Sequence, residues 1–234
     1  MSEIFKNPLF GITLTAAVYC LTFFIYKKTK LTLLHPLPVS LILICAVLIL
    51  TGIPYESYNN GGKYITYLLT PATALLAVPL YDNRRLLYKN AGTVLFSLSA
   101  GAVTALLSVF LLCKAFGFDD IVMYSMLPKS ATVPIAREVT GQLGGIEAIT
   151  ILSVFFAGLT GTLFGNLMSK AFKINDNLSK GLAMGSASHI LGTSKLLETN
   201  SEAGAAGSVA VVIAGLITLI SAPWLLRLFI LIFG

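Results

Sequence analysis

The sequence predicts an all-α polytopic membrane protein, and three observations carry that prediction. Hydrophobic residues make up 56% of the 234-residue chain and charged residues 11%, with a mean hydropathy of +0.86; a soluble domain carries about 25% charged residues. The apolar residues fall in long runs, on the scale of the roughly 20 residues that a helix needs to cross about 30 Å of hydrocarbon. The lysines and arginines sit mainly in short connections between those runs, where topology signals belong. A net charge of +6 spread in this way is therefore no sign of a nucleic-acid partner. The expected solvent is the lipid bilayer.

Six runs read as spans within a single integral membrane domain, 1–234. The first, 8–26, is ended by the basic run Lys27–Lys30 and is not followed by a small-residue cleavage site. The second, 37–53, is slightly short, and the third, 64–81, is interrupted by Pro71 and Pro79. Runs 91–116 and 146–168 are strong, and 203–233 is long enough to tilt or to bend at Pro223. Between them lie two pieces too polar for plain spans and too apolar for loops, 126–142 and 181–197, expected as broken or re-entrant helical segments.

Three basic clusters orient the set: Lys27, Lys28 and Lys30; Arg84, Arg85 and Lys89; Lys170, Lys173 and Lys180. Lys/Arg-rich short loops favour the cytoplasmic side. All three clusters face inward if the N-terminus is outside and the 126–146 region makes no net crossing. The region then dips in from outside, and 181–195 from inside.

An offset of 56 residues superposes Ser97 on Ser153, Thr104 on Thr160 and Lys114-Ala115-Phe116 on Lys170-Ala171-Phe172. It also superposes Ser130-Ala131-Thr132 on Ser186-Ala187-Ser188, and twice the offset brings Ala91-Gly92 onto Ala203-Gly204. The unit is a broken, hydroxyl-bearing piece followed by a long span, consistent with an inverted repeat. Secondary transporters place their sites where such discontinuous helices meet. The alternative is chance alignment of common apolar residues.

The chemistry-bearing residues lie in the two broken pieces. Pro128 and Pro134 flank Lys129, Ser130 and Thr132, and proline both removes amide donors and disfavours helix before it. An unwound stretch there, a helix start from about Pro134, two hydroxyls and an ammonium form a cradle for a small carboxylate. The alternative is a kinked helix whose Lys129 reaches the headgroups. In GLAMGSASHILGTSK, Gly181, Gly185 and Gly192 allow close backbone approach, Ser186, Ser188 and Thr193 supply hydroxyls, and His189 is a titratable group at membrane depth. An ordinary imidazole pKa of about 6.5 would give pH dependence; a satisfied structural histidine is the alternative. Glu138 and Glu202, with His189, are the candidates for coupling to a proton or cation, against exposed helix ends or structural ion pairs. His35 reads as a headgroup-level residue. The cysteines, Cys20, Cys45 and Cys113, read as packing residues. No cluster has metal-ligand spacing, no cofactor is implied, and no catalytic constellation suggests an enzyme.

The order TGIPYESYNNGGKY (51–64), TPATALLAVPLY (70–81), LPKSATVPIAREV (127–139), QLGGI (142–146) and GLAMGSASHILGTSK (181–195) resembles the LrgB/CidB family of bacterial membrane proteins over nearly the whole chain. The resemblance implies a bacterial plasma-membrane protein of one of two kinds. One is an antiholin-like regulator of murein hydrolase export and autolysis, working with a separate small LrgA/CidA-type holin-like protein. The other is a carrier of small monocarboxylates such as pyruvate, lactate or glycolate, like the plastid glycolate/glycerate relatives. The motifs fall on Lys129, Ser130, Thr132, Pro134, Ser188, His189, Gly192 and Thr193. Val133 and Arg137 depart from the family pattern. A homodimer is expected, as two-fold assemblies are the commonest.

Overall fold

A computed structural model describes residues 5, 7–29, 34, 36–75 and 77–233, with the backbone alone at positions 70, 72 and 73. His35 and Lys30 lie outside the described residues. Among those described there is no strand, and the all-α polytopic reading holds. The chain divides into two compact units, 1–72 and 73–234.

The first unit holds α1 (Pro8–Thr29), α2 (Pro36–Thr51) and α3 (Tyr55–Tyr67). Helix α1 is a full-length span, whereas the 16 residues of α2 reach only about 24 Å at 1.5 Å per residue. Glycine sets the α1–α3 crossing: a β-carbon on Gly11 would lie 2.2 Å from the Tyr58 carbonyl, and one on Gly61 would lie 2.0 Å from that of Pro8. The close approach brings the Thr15 hydroxyl within 2.9 Å of the Tyr58 hydroxyl. Cys20 and Cys45 are exposed on this unit's helices, so neither is core packing here.

The expected span 64–81 is not one helix. It is shared among α3, α4 (Leu69–Leu75) and α5 (Ala77–Asp82), with α6 (Arg84–Lys89) following. Pro71 explains the first interruption. A proline clashes with the carbonyl four residues before it, and α3 ends at Tyr67, four residues before Pro71.

The second unit is built on α7 (Ala91–Ala115), α10 (Glu147–Ala171) and α12 (Ser201–Phe233), all long and apolar enough to cross a membrane. Between them come α8 (Asp120–Met126), a 3-10 turn (Leu127–Ser130), α9 (Val133–Leu143) and α11 (Asn177–Thr199). Helices α7 and α10 are each 25 residues long, and the 56-residue offset carries both ends of one onto the other, 91 to 147 and 115 to 171. Helix α12 runs unbroken through Pro223 and is almost wholly buried from Ala203 to Gly215, then on one stripe only, Thr218, Ala222, Leu226 and Phe229. Helix α7 buries one stripe at near-fourfold spacing, Val94, Leu98, Ala102, Leu106, Phe110 and Cys113. Its lower half packs with Leu127, Ile135, Val139, Val154 and Leu226 in the larger core. Helices α11 and α12 approach through Gly181 and Gly185, whose β-carbons would meet the carbonyls of Ala203 and Gly207 at 2.3 and 2.4 Å. Without hydrophobic drive in lipid, such small-residue contacts are what hold helices together.

Candidate functional site

Both pieces expected to break do so. After α8 the chain tightens into the 3-10 turn at Pro128 (φ −83°, ψ 16°), runs extended through Ala131 (φ −99°, ψ 169°) and Thr132 (φ −66°, ψ 151°), then enters α9. Pro134 sits in the first turn of α9, where an amide has no helical partner to lose. Thr132 occupies the N-cap position, but its hydroxyl makes no capping bond. The side chain is 1% exposed and its Oγ1 has no partner. The 3-10 turn contacts α7, α8, α9, α10, α11 and α12, so Lys129 stands where the second unit's helices converge.

Helix α11 breaks at one residue, His189, with φ 41° and ψ −133°. That backbone is open to glycine and costs a residue with a β-carbon about 1–3 kcal/mol. Compensation comes from α10: Nε2 of His189 lies 3.0 Å from the Val154 carbonyl oxygen, and Gly158 leaves room for the ring. A carbonyl only accepts, so Nε2 carries the hydrogen of this bond.

A cavity of about 570 Å³ lies between α7, the 3-10 turn and the first half of α11. Helix α7 contributes Thr93, Ser97, Gly101, Thr104 and Ser108, the face opposite its buried stripe. The turn contributes Lys129 and Ser130, and α11 contributes Ser179, Leu182, Ala183, Ser186 and Ala187. The lining therefore has one cation, seven hydroxyl side chains and no carboxylate among the described residues. The Lys129 ammonium makes a long contact, 3.4 Å, with the Ser130 hydroxyl. A half-buried cation ringed by hydroxyls that donate or accept suits a small anion.

The expected site residues thus separate into groups. Lys129, Ser130 and Ser186 line the cavity. Ser188, His189, Gly192 and Thr193 do not; they are buried in helix contacts. Ser188 fills the space left by Gly161 and Gly192, and Thr193 lies against Gly207 with its Oγ1 unpartnered. Glu138 is exposed on α9 beside Gln142. Glu202 is exposed at the start of α12, where its carboxylate accepts from Asn177 Nδ2 at 2.7 Å. Arg137 pairs with Glu147 through Nε (2.8 Å) and Nη2 (2.6 Å). The sequence reading passed over the hydroxyl face of α7. The signal was there: Thr93, Ser97, Thr104 and Ser108 recur at helical spacing within an apolar span.

A family model for the LrgB-like family matches residues 15–228, nearly the whole chain. The chain belongs to the LrgB-like family. Among its relatives, the antiholin-like protein LrgB of Bacillus subtilis (strain 168) is 38% identical over 95% of this chain and 96% of its own. The uncharacterized protein YxaC of the same organism is 37% identical over 93% of this chain and 95% of its own. The antiholin-like protein LrgB of Bacillus cereus (strain B4264) is 35% identical with the same coverage. No solved structure matches. This LrgB-like chain is a membrane protein whose two broken helices both fall within the matched residues.

Proposed function

We propose that this chain works in the bacterial plasma membrane, N-terminus outside, as an antiholin-like regulator of murein hydrolase export and autolysis. It acts with a separate, small holin-like membrane protein. The observation that carries this reading is the 35–38% identity, over more than nine-tenths of the chain, to relatives named antiholin-like. Expression in a Bacillus host deleted for its own LrgB-like proteins, with and without a holin-like partner, tests it. Slower detergent-triggered autolysis that depends on the partner is the expected result. Unchanged lysis with protein correctly inserted overturns it.

The cavity favours a second reading, carriage of small monocarboxylates such as pyruvate, lactate or glycolate. Lys129 pairs with the carboxylate, and Ser130 and Ser186 orient it. Coupling to a proton or cation, if present, belongs to His189, Glu138 or Glu202. Uptake into proteoliposomes by wild type and Lys129→Met tests this reading, which fails if no carboxylate enters above empty liposomes. The two readings join if carboxylate flux is the signal for lysis. A homodimer is the assembly assumed in both.

A further inference from the structure

His189 is held by more than a ligand contact would need. Among the described residues it is the only non-glycine residue with positive φ inside a helix. Its ring turns into α10, with Nε2 at the Val154 carbonyl, and it does not line the cavity. A β-carbon at position 158 would lie 2.8 Å from its Cε1 and 2.7 Å from Leu191 Cδ1, so the bare backbone of Gly158 admits the ring and the Leu191 side chain together.

Thr193 reports the other side of the arrangement. The buried helical residues Thr162 and Thr218 each donate their hydroxyl to the carbonyl four residues back, at 2.8 Å. For Thr193 that carbonyl belongs to His189. Helical ψ is near −42°; His189 has ψ −133°, and the Thr193 hydroxyl, 4% exposed, has no partner. The broken helix satisfies the imidazole and leaves Thr193 orphaned. A continuous helix would satisfy Thr193 and relax residue 189, but would withdraw the ring from Val154. The two arrangements exclude each other and differ by few bonds, the condition for a two-state element.

We propose that His189 is a positioning residue, the latch of a hinge in α11. Its bond to Val154 keeps the helix broken and so holds the half that lines the cavity, through Ser179 and Ser186, in its present direction beside Lys129. Release of the ring lets α11 close into one helix. The consequence for the anion rests on the carrier reading above; the hinge itself does not.

Hydrogen exchange on peptides covering residues 186–196, with the full chain in lipid nanodiscs and no anion present, tests the latch. His189→Ala and Gly158→Ala, which crowds both the ring and the Leu191 side chain while leaving residue 189 unaltered, are expected to slow exchange at 190–193 about tenfold as the helix closes. His189→Gln places an amide N–H near the same carbonyl and is expected to keep the wild-type rate. Wild-type exchange in both His189→Ala and Gly158→Ala overturns the proposal, as does a Gln variant that behaves like Ala. Gly158→Ala decides the matter if His189→Ala does not insert. A helix that closes in these variants, with no carboxylate uptake by any protein, would remove the carrier reading and leave the hinge standing.

Discussion

The hydroxyls of Thr140 and Thr150 lie 2.7 Å apart across the α9–α10 contact, both side chains fully buried. Thr150 also reaches the Ser125 carbonyl at 2.9 Å, and the Ser125 hydroxyl accepts from the Ile146 amide at 2.7 Å. These bonds tie α8, α9 and α10 together at the turn before the long span. Thr150→Val removes the middle of the network and leaves the Ser125 carbonyl without this donor. A loss of about 1–2 kcal/mol is expected, read as a lower midpoint in denaturant titration of the detergent-solubilised protein.

Thr193 should behave in the opposite way. Its hydroxyl is buried without a partner, so replacing it by the similarly shaped valine removes an unsatisfied group. Thr193→Val is expected to be neutral or stabilising by up to about 1 kcal/mol. A destabilisation as large as that of Thr150→Val in the same titration would show that the hydroxyl has a partner in the membrane.

The α11–α12 crossing tolerates no side chain. A β-carbon on Gly185 would lie 2.4 Å from the Gly207 carbonyl and 2.7 Å from the Ala210 β-carbon. Because the nearest group is backbone, relief requires the helices to part. Gly185→Ala is expected to cost about 1–3 kcal/mol, whereas Gly92→Ala, with open space around it, is expected to cost little. Thermal unfolding of the two variants side by side checks the contrast.

Lys129 is the sole charge on the cavity lining among the described residues. On the carrier reading, Lys129→Met should reduce carboxylate uptake at least tenfold and Lys129→Arg should retain part of it, because the charge survives while its shape changes. Proteoliposome uptake of radiolabelled carboxylates measures both. Equal uptake by Lys129→Met and wild type would place the anion elsewhere.

Asp176, in the connection before α11, caps that helix by accepting from the Ser179 amide at 2.7 Å. These hydrogen bonds from Ser179 hold its carboxyl below the usual carboxylate range. With the folded-state pKa depressed, the contribution is present above the unfolded value of about 3.9 and is lost as pH falls through the lower folded value. Asp176→Asn keeps a capping oxygen, so it should match wild type at acid pH and fall slightly below it near pH 7. Melting temperatures of both proteins across pH 3–7 test this.

Much of the architecture was legible in the sequence because lipid imposes it. A helix must satisfy its own backbone in hydrocarbon, so apolar run length alone located α1, α7, α10 and α12 to within a few residues. Proline spacing marked the break before α9, and the 56-residue offset anticipated the matching lengths of α7 and α10. Even the interruption of 64–81 was visible in Pro71.

What tertiary structure alone decided is the direction of side chains. Ser186 and Ser188 are two residues apart with the same chemistry, yet one faces the cavity and the other fills the space beside Gly161. The break at His189 carries no proline or glycine at its own position. It depends on a carbonyl 35 residues away and on the missing side chain of Gly158. The hydroxyls of α7 become a lining only because Lys129 and the first half of α11 stand opposite them. The sequence by itself determined the long apolar runs, the family and the break before α9, since these follow from local chemistry and the bilayer. Which broken residue meets the cavity and which meets another helix was settled by packing, because that depends on contacts between residues far apart in the chain.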